Sequence, residues 1–314
     1  MIHGSIVGLE RFNHNPILVP NIENFWESKA VFNCAVITHD NKVHMLYRAI
    51  GEYDHYISRL GYAVSDDGIN FRRFDEPVLE PTVRYELGGC EDPRITKIDD
   101  KIYMTYVVLS FPQKEKGIAR TALASTKDFL DYDKVGIITP HDVDDKDVVL
   151  FPEKIDGKYV MIHRPNWVGE KYGTASPSMW LAYSDNLREW SGDKVLVKPE
   201  EEWERRKIGV GPPPIKTKDG WLVLYHGVDA DFVYRAGAML LDLRDPSNVV
   251  AKTAKPILEP KEPYELVGDV PNVVFPTGTA ILDNKLYVYY GAADKVIAVA
   301  TGEIDDMLDS LEKL

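Results

Sequence analysis

The chain has 314 residues, of which 44% are hydrophobic and 28% charged, with a formal net charge of −13; this suits one repeat-built domain or two ordinary ones. The acidic balance excludes a nucleic-acid backbone as the main partner but leaves room for a local basic cluster that binds a small anion. Two cysteines, Cys34 and Cys90, cannot form a disulfide framework, and neither a leader pattern nor an apolar run of spanning length is present, so a cytoplasmic protein with no membrane partner is expected.

One unit recurs five times along the chain, an Asp/Asn/Gly/Lys turn followed by two short β-rich strands. The turns are Asp40-Asn41-Lys42, Asp99-Asp100-Lys101, Asp156-Gly157-Lys158, Lys218-Asp219-Gly220 and Asp283-Asn284-Lys285. Their spacing, about 60 residues, is that of a four-stranded propeller blade with long loops. The strand after each turn reads Val43–Tyr47, Ile102–Tyr106, Tyr159–His163, Trp221–Tyr225 and Leu286–Tyr290. The next strand reads Leu60–Ser65, Arg120–Ser125, Met179–Ser184, Ala236–Leu241 and Val296–Thr301. In it small residues alternate with larger ones, as the narrow inner part of a blade requires. Pro77–Pro81 echoes Pro256–Pro260, and Pro16–Pro20 resembles both. The tail is the one helix expected, Ile304 to Leu314, with Ile304, Met307, Leu308 and Leu311 at helical spacing, packing on its own chain. The expectation is an all-β, five-bladed β-propeller, a single domain over residues 1–314 with a short C-terminal helix over 302–314.

A propeller gathers residues distant in sequence at the mouth of its central channel, so polar residues at strand ends are the candidates. In Gly88-Gly89-Cys90-Glu91-Asp92-Pro93-Arg94 the proline holds Asp92 extended. An acid for catalysis and a plain turn aspartate fit it equally. Unlike residues at the matching place in other blades make Asp92 the lone acid of one axial site. A basic set follows: Lys146, Arg164 after His163, Lys207, and His226 after Tyr225. Arginine can grip phosphate or carboxylate with its fork. Surface ion pairing explains most such residues and is the better reading for Lys114, Lys116 and Lys194. A third set, Asn33, Arg48, Arg59, Tyr234-Arg235 and Asp294, suits a hydroxyl-rich ligand, with pairing between blades as the plainer account. Asp294 is expected at the place in blade five that Arg48 holds in blade one. Eight histidines include no metal-binding pair, so no metal is expected. The cysteines read as small buried hydrophobes.

Seven separated motifs together resemble glycoside hydrolase family 130, the β-mannoside phosphorylases. They are Asn33-Cys34, Tyr47-Arg48, Gly89 to Arg94, Asp147 to Lys154, His163-Arg164-Pro165, Tyr225-His226-Gly227 and Tyr234 to Gly237, within a resemblance running from about Asn13 to Asp294. The resemblance implies a five-bladed propeller in which inorganic phosphate attacks the anomeric carbon of a β-mannoside with inversion, giving α-mannose 1-phosphate. It implies Asp92 as the catalytic acid, its proton passing through the mannose 3-hydroxyl. It implies Arg164, Lys207, His226 and Tyr234 as the phosphate cradle, and Lys146 where another cation, often arginine, is expected. Asn33, Arg48, Arg59 and Asp294 match positions that hold the mannose. Phosphate is then a co-substrate and no cofactor is expected. Family hydrolases lack the basic residues, so their retention here favours phosphorolysis. A β-mannoside hydrolase, a non-catalytic sugar-binding propeller and an arabinanase-like glycosidase are the alternatives. The linkage, β-1,2 or β-1,4, stays open, and so does the oligomeric state, family members often being homo-oligomers. The loops Tyr53–Tyr56 and Phe111–Gly117 are expected to choose the acceptor.

Overall fold

Left-handed backbone at Asp40, Asn41, Asp99, Asp156, Gly157, Asp283 and Asn284 is what tight hairpin turns need, and Asp, Asn and Gly adopt it at least cost. Those turns close hairpins in four of the five antiparallel sheets of the computed structural model, which describes residues 9–111 and 117–314. A short strand, β1 (Glu10–Arg11), comes first. Blade 1 is β2 (Ala30–His39), β3 (Lys42–Ile50), β4 (Ser58–Ser65) and β5 (Arg72–Arg73). Blade 2 is β6 (Gly89–Ile98), β7 (Lys101–Leu109), β8 (Ala119–Thr126) and β9 (Tyr132–Ile137). Blade 3 is β10 (Asp145–Leu150), β11 (Tyr159–Pro165), β12 (Met179–Ser184) and β13 (Ser191–Val197). Blade 4 has β14 (Lys207–Val210) and β15 (Ile215–Lys216), both pairing with β16 (Trp221–Val228), then β17 (Tyr234–Leu241) and β18 (Val249–Lys252). A single helical turn, α1 (Pro263–Leu266), leads to blade 5, made of β19 (Val274–Leu282), β20 (Lys285–Ala292) and β21 (Val296–Glu303). β1 pairs with β21 through Glu10↔Thr301 and Arg11↔Ala300, so the ring closes by joining the two ends of the chain.

The strand before each turn, not the one after it, is the innermost. β2, β6 and β19 pack on one another about the axis, and β10 bridges β6 to β14. The small residues of the third strands therefore need a different account. In four blades a second-strand tyrosine lies across the third strand and bonds a fully buried glutamate: Tyr47 to Glu27, Tyr106 to Glu86, Tyr225 to Glu204 and Tyr290 to Glu265, at 2.7–2.8 Å. A cation completes each group: Arg73, Lys134, Lys252 and Arg11 respectively. The residues paired opposite these tyrosines are Gly61, Ala122, Gly237 and Ala298. A Cβ on Gly61 would lie 2.3 Å from the Tyr47 ring, so the small side chain makes room for the tyrosine. Blade 3 inverts the sizes: His163 faces Trp180, and its imidazole bonds the buried Asp145 at 2.8 Å.

The C-terminal helix is shorter than expected. It runs as α2 (Ile304–Asp309), where Ser310 Oγ bonds the Met307 carbonyl, and β22 (Glu312–Lys313) then pairs with β18. The open edge of β18 takes up the backbone groups of the tail, which outweighs the helical spacing of Leu311. Met307 is buried and Ile304, Leu308 and Leu311 pack against the core between blades 4 and 5, so the tail does dock on its own chain. Among the described residues no helix is long and apolar enough to cross a membrane. Lys114 and Lys116 lie outside the described residues.

Candidate active site

The innermost strands break step at one level. β2 bulges between Phe32 and Ala35, β6 between Glu91 and Arg94, β10 between Lys146 and Val149, and β19 between Pro276 and Gly278. β14 ends there and gives way to Gly211 and three prolines. A bulge adds one residue and re-aims its side chain. In three blades that residue is left-handed: Asn33 (φ 47°), Asp92 (φ 45°) and Asp147 (φ 53°). Asn and Asp tolerate this conformation best among side chains that can also do chemistry. Five bulge-like breaks around one axis thus gather polar groups that sequence distance separates.

Asp92 Oδ1 accepts Asn33 Nδ2 at 2.9 Å and Arg48 Nη1 at 3.1 Å. Arg48 also donates to Glu91 through Nη2 at 2.6 Å and to Ser58 through Nε at 2.9 Å. Arg94 runs behind this group, donating to the Asp92 carbonyl at 3.1 Å and to the Gly211 carbonyl of blade 4 at 2.6 Å. Burial pushes the Asp92 pKa up, but Arg48 foremost, then Arg94 and the Asn33 bond, bring it below the ordinary aspartate value. Asp92 is therefore a carboxylate. Asp294 goes the other way: burial, reinforced by Asp92 and Asp269, pushes it up to about 7.

A cationic wall stands beside the acid. Lys146 and Arg164 are cross-strand partners on β10 and β11. With Lys207, Asn166 and Asp144 they line a cavity of about 310 Å³. Arg164 Nε donates to Asp147 Oδ2 at 2.6 Å, and His226 Nε2 lies 3.7 Å from the same oxygen. Burial raises the Asp147 pKa, but Arg164 foremost, by charge and hydrogen bond, and also Arg94 more than offset it, so Asp147 stays ionised. Burial and then the like charge of Arg164 push Lys207 down to about 7, which leaves it poised to gain a proton when an anion arrives. Burial holds His226 neutral, down to about 3, and its Nδ1 has no partner among the described residues. His226 stacks on Tyr234 with ring centres 5.9 Å apart, and Lys207 Nζ sits 4.9 Å from the Tyr234 ring.

The family model for glycoside hydrolase family 130, described as beta-1,4-mannooligosaccharide phosphorylase, matches residues 9–313. The chain belongs to glycoside hydrolase family 130. It is 48% identical over 308 residues to a 1,2-beta-oligomannan phosphorylase of Thermoanaerobacter sp. (strain X514), covering 96% of this chain and 99% of that protein. A beta-1,2-mannobiose phosphorylase of the same organism is 45% identical, with 94% and 97% covered. The solved beta-1,2-mannobiose phosphorylase of Listeria innocua, in complex with beta-1,2-mannobiose, superposes with a TM-score of 0.85 at 30% identity, covering 96% and 99%.

In this family 130 chain the structure brings together Asn33, Arg48 and Asp92, and beside them Lys146, Arg164, Lys207, His226 and Tyr234. Asp294 joins them electrostatically but not at the expected place. Gly291 follows Tyr290 as Arg48 follows Tyr47, and a Cβ there would sit 2.1 Å from Asn33 Oδ1. Asp294 lies three residues further on, in the turn between β20 and β21. Arg59 is apart: it pairs with Glu80 at 3.3 Å and makes no bond to the Asp92 group among the described residues. Asp92 is not the lone acid, because Asp147 occupies the same bulge in blade 3 and Glu91 is buried next door. Asp147, Glu91 and Arg94 also stand at this site, inside the family motifs but not among the residues expected there from sequence. The missed signal was the offset: Asn33, Asp92 and Asp147 each precede their hairpin turn by seven to nine residues. Of the two loops expected to choose the acceptor, the first places Tyr56 in a 2.5 Å bond to Asp269, with its ring 5.7 Å from the Arg48 guanidinium. Residues 112–116 of the other loop lie outside the described residues. Cys34 and Cys90 are free and fully buried, in keeping with their reading as small hydrophobes.

Proposed function

We propose that this chain is an inverting β-mannoside phosphorylase that cleaves β-1,2-linked manno-oligosaccharides with inorganic phosphate, releasing α-mannose 1-phosphate. The observation that carries the reading is the cavity walled by Lys146, Arg164 and Lys207 beside the Asp92–Arg48–Asn33 group, in a chain of net charge −13. Such a cavity suits a small anion against the global field. The β-1,2 linkage is favoured because the relatives at 48% and 45% identity act on β-1,2-mannosides by name, while one named for β-1,4-mannooligosaccharides is 30% identical.

In the reaction, Arg164, Lys207 and Lys146 hold phosphate, with His226 and Tyr234 as neutral partners. Asn33, Arg48 and Asp294 hold the mannose whose bond is cleaved; Arg59, paired with Glu80, is left out. A phosphate oxygen forms the new bond to the anomeric carbon as the glycosidic bond breaks. Asp92 supplies the proton that the leaving oxygen needs, through the 3-hydroxyl. Asp92 is ionised among its cations alone, but a bound phosphate adds negative charge beside it and raises its affinity for a proton. An inverting hydrolase needs a second carboxylate to activate water. Asp147 is committed to Arg164 and His226, which argues against that role. Phosphate is a co-substrate on this reading and no cofactor takes part. Free buried cysteines suit a cytoplasmic enzyme.

Replacing Lys207 with Met tests the cradle. We expect the apparent KM for phosphate to rise at least about tenfold and kcat/KM for phosphate to fall about 10²–10³-fold. KM for the oligosaccharide should change little. An unchanged phosphate KM would remove Lys207 from the phosphate site.

A further inference from the structure

Glu91 precedes Asp92 in β6 and its side chain is fully buried, whereas that of Asp92 is 12% exposed. Its two oxygens have unlike surroundings. Oε1 accepts Arg48 Nη2 at 2.6 Å and Ser58 Oγ at 3.3 Å. Oε2 has no hydrogen-bond donor among the described residues, and Lys146 Nζ stands 3.8 Å away. A buried carboxylate oxygen without a donor is costly, so it attracts the nearest cation. Lys146 is 29% exposed and lines the cavity, so its long side chain can lean toward Glu91 or out toward an anion.

The Arg48 fork points to the same residue. Its shortest bond goes to Glu91 at 2.6 Å, and the bond to Asp92 is longer at 3.1 Å. With Nε held by Ser58, Glu91 fixes which edge of the guanidinium faces Asp92. We infer that Glu91 is a positioning residue that holds Arg48 against Asp92 with part of its charge withheld, and draws Lys146 back from the phosphate cavity until an anion enters. One carboxylate thereby links the sugar side and the phosphate side of the site. The inference rests on the phosphorylase reading above.

The groups that face Asp92 are Arg48 from β3, Arg94 on its own strand, Asn33 from β2, Lys146 from β10, Tyr234 from β17 and Asp294 from the turn after β20. Glu91 holds two of the three cations among them. Removing its charge turns both more fully upon Asp92, which then releases its proton at lower pH. Lys146, freed from Glu91, binds phosphate at least as well as before.

The test is steady-state phosphorolysis of β-1,2-mannobiose with inorganic phosphate by wild type, Glu91→Gln and Ser58→Ala across pH. For Glu91→Gln we expect kcat at neutral pH to fall about 10–100-fold, part of what a general acid contributes. The phosphate KM should stay equal or fall, and the alkaline limb of the pH profile should move to lower pH. Ser58→Ala, which loosens Arg48 but keeps the charge, should lower kcat without raising the phosphate KM, and it carries the test if Glu91→Gln does not fold. A simple structural lesion would raise both KM values and leave the limb in place; that result overturns the inference while wild type remains phosphate-dependent. Wild type that cleaves equally fast without phosphate overturns the phosphorylase reading and the inference with it.

Discussion

His163 shows how one side chain can carry a blade that lacks the tyrosine–glutamate–cation group of the others. Burial disfavours its charged form, but Asp145 and then Asp193 outweigh that and raise its pKa from 6.5 to about 9. A group whose pKa is raised in the folded state stabilises fully below its unfolded pKa, and that contribution is lost as pH rises through the folded one. The contribution of His163 should thus be complete below about pH 6.5 and fade through about pH 9, with a size on the order of 3 kcal/mol. Urea unfolding of wild type and His163→Gln checks this: the stability gap should be widest below about pH 6.5, shrink between about pH 6.5 and 9, and stay at its smallest above that. A gap that is constant with pH would mean that His163 works by packing against Trp167 and its cross-strand partner Trp180 and not by charge.

At the scale of strands, the tyrosine clamps explain why the third strands carry glycine and alanine. Gly61→Ala forces a contact with the buried Tyr47 ring, whose Cζ and Cε2 lie 2.3 and 2.5 Å from the added carbon, with the hydroxyl at 2.6 Å. We expect a loss of about 1–3 kcal/mol, recovered in large part by adding Tyr47→Phe only if the hydroxyl is the offending atom. The ring carbons are closer, so denaturant titration should show little rescue. Full rescue would shift the strain to the hydroxyl and its bond to Glu27. The five hairpin turns and the strands flanking them were legible because Asp, Asn and Gly cluster at turns, four of which are left-handed. The innermost strands were not, because their bulges interrupt the alternation that identifies a strand. For the same reason the repeat that the turns mark starts one strand later than the blade, and the size pattern of the third strands reflects the tyrosine clamps, not the narrow inner part of the blade. The buried glutamates stand in the sequence as Trp26-Glu27, Tyr85-Glu86, Trp203-Glu204 and Tyr264-Glu265, five to seven residues past Pro20, Pro81, Pro199 and Pro260. Their burial comes from partners on distant strands, which no local pattern contains.

At the scale of the whole molecule, five strand breaks at one level place Asp92 from blade 2 beside Asn33 and Arg48 from blade 1, and Lys146 and Arg164 from blade 3 beside Lys207 of blade 4. Motif residues at strand ends were legible one by one. Their division into an acid group and a cationic wall, with Asp147 and Glu91 tying cations within it, needed the ring. The central claim is that the cationic wall binds the attacking group. Incubation of the enzyme with β-1,2-mannobiose, with and without inorganic phosphate, followed by phosphorus and proton NMR, tests it most directly. The account predicts α-mannose 1-phosphate and free mannose in equal amounts when phosphate is present, and negligible cleavage when it is not. Mannose alone, released at the same rate without phosphate, would contradict it.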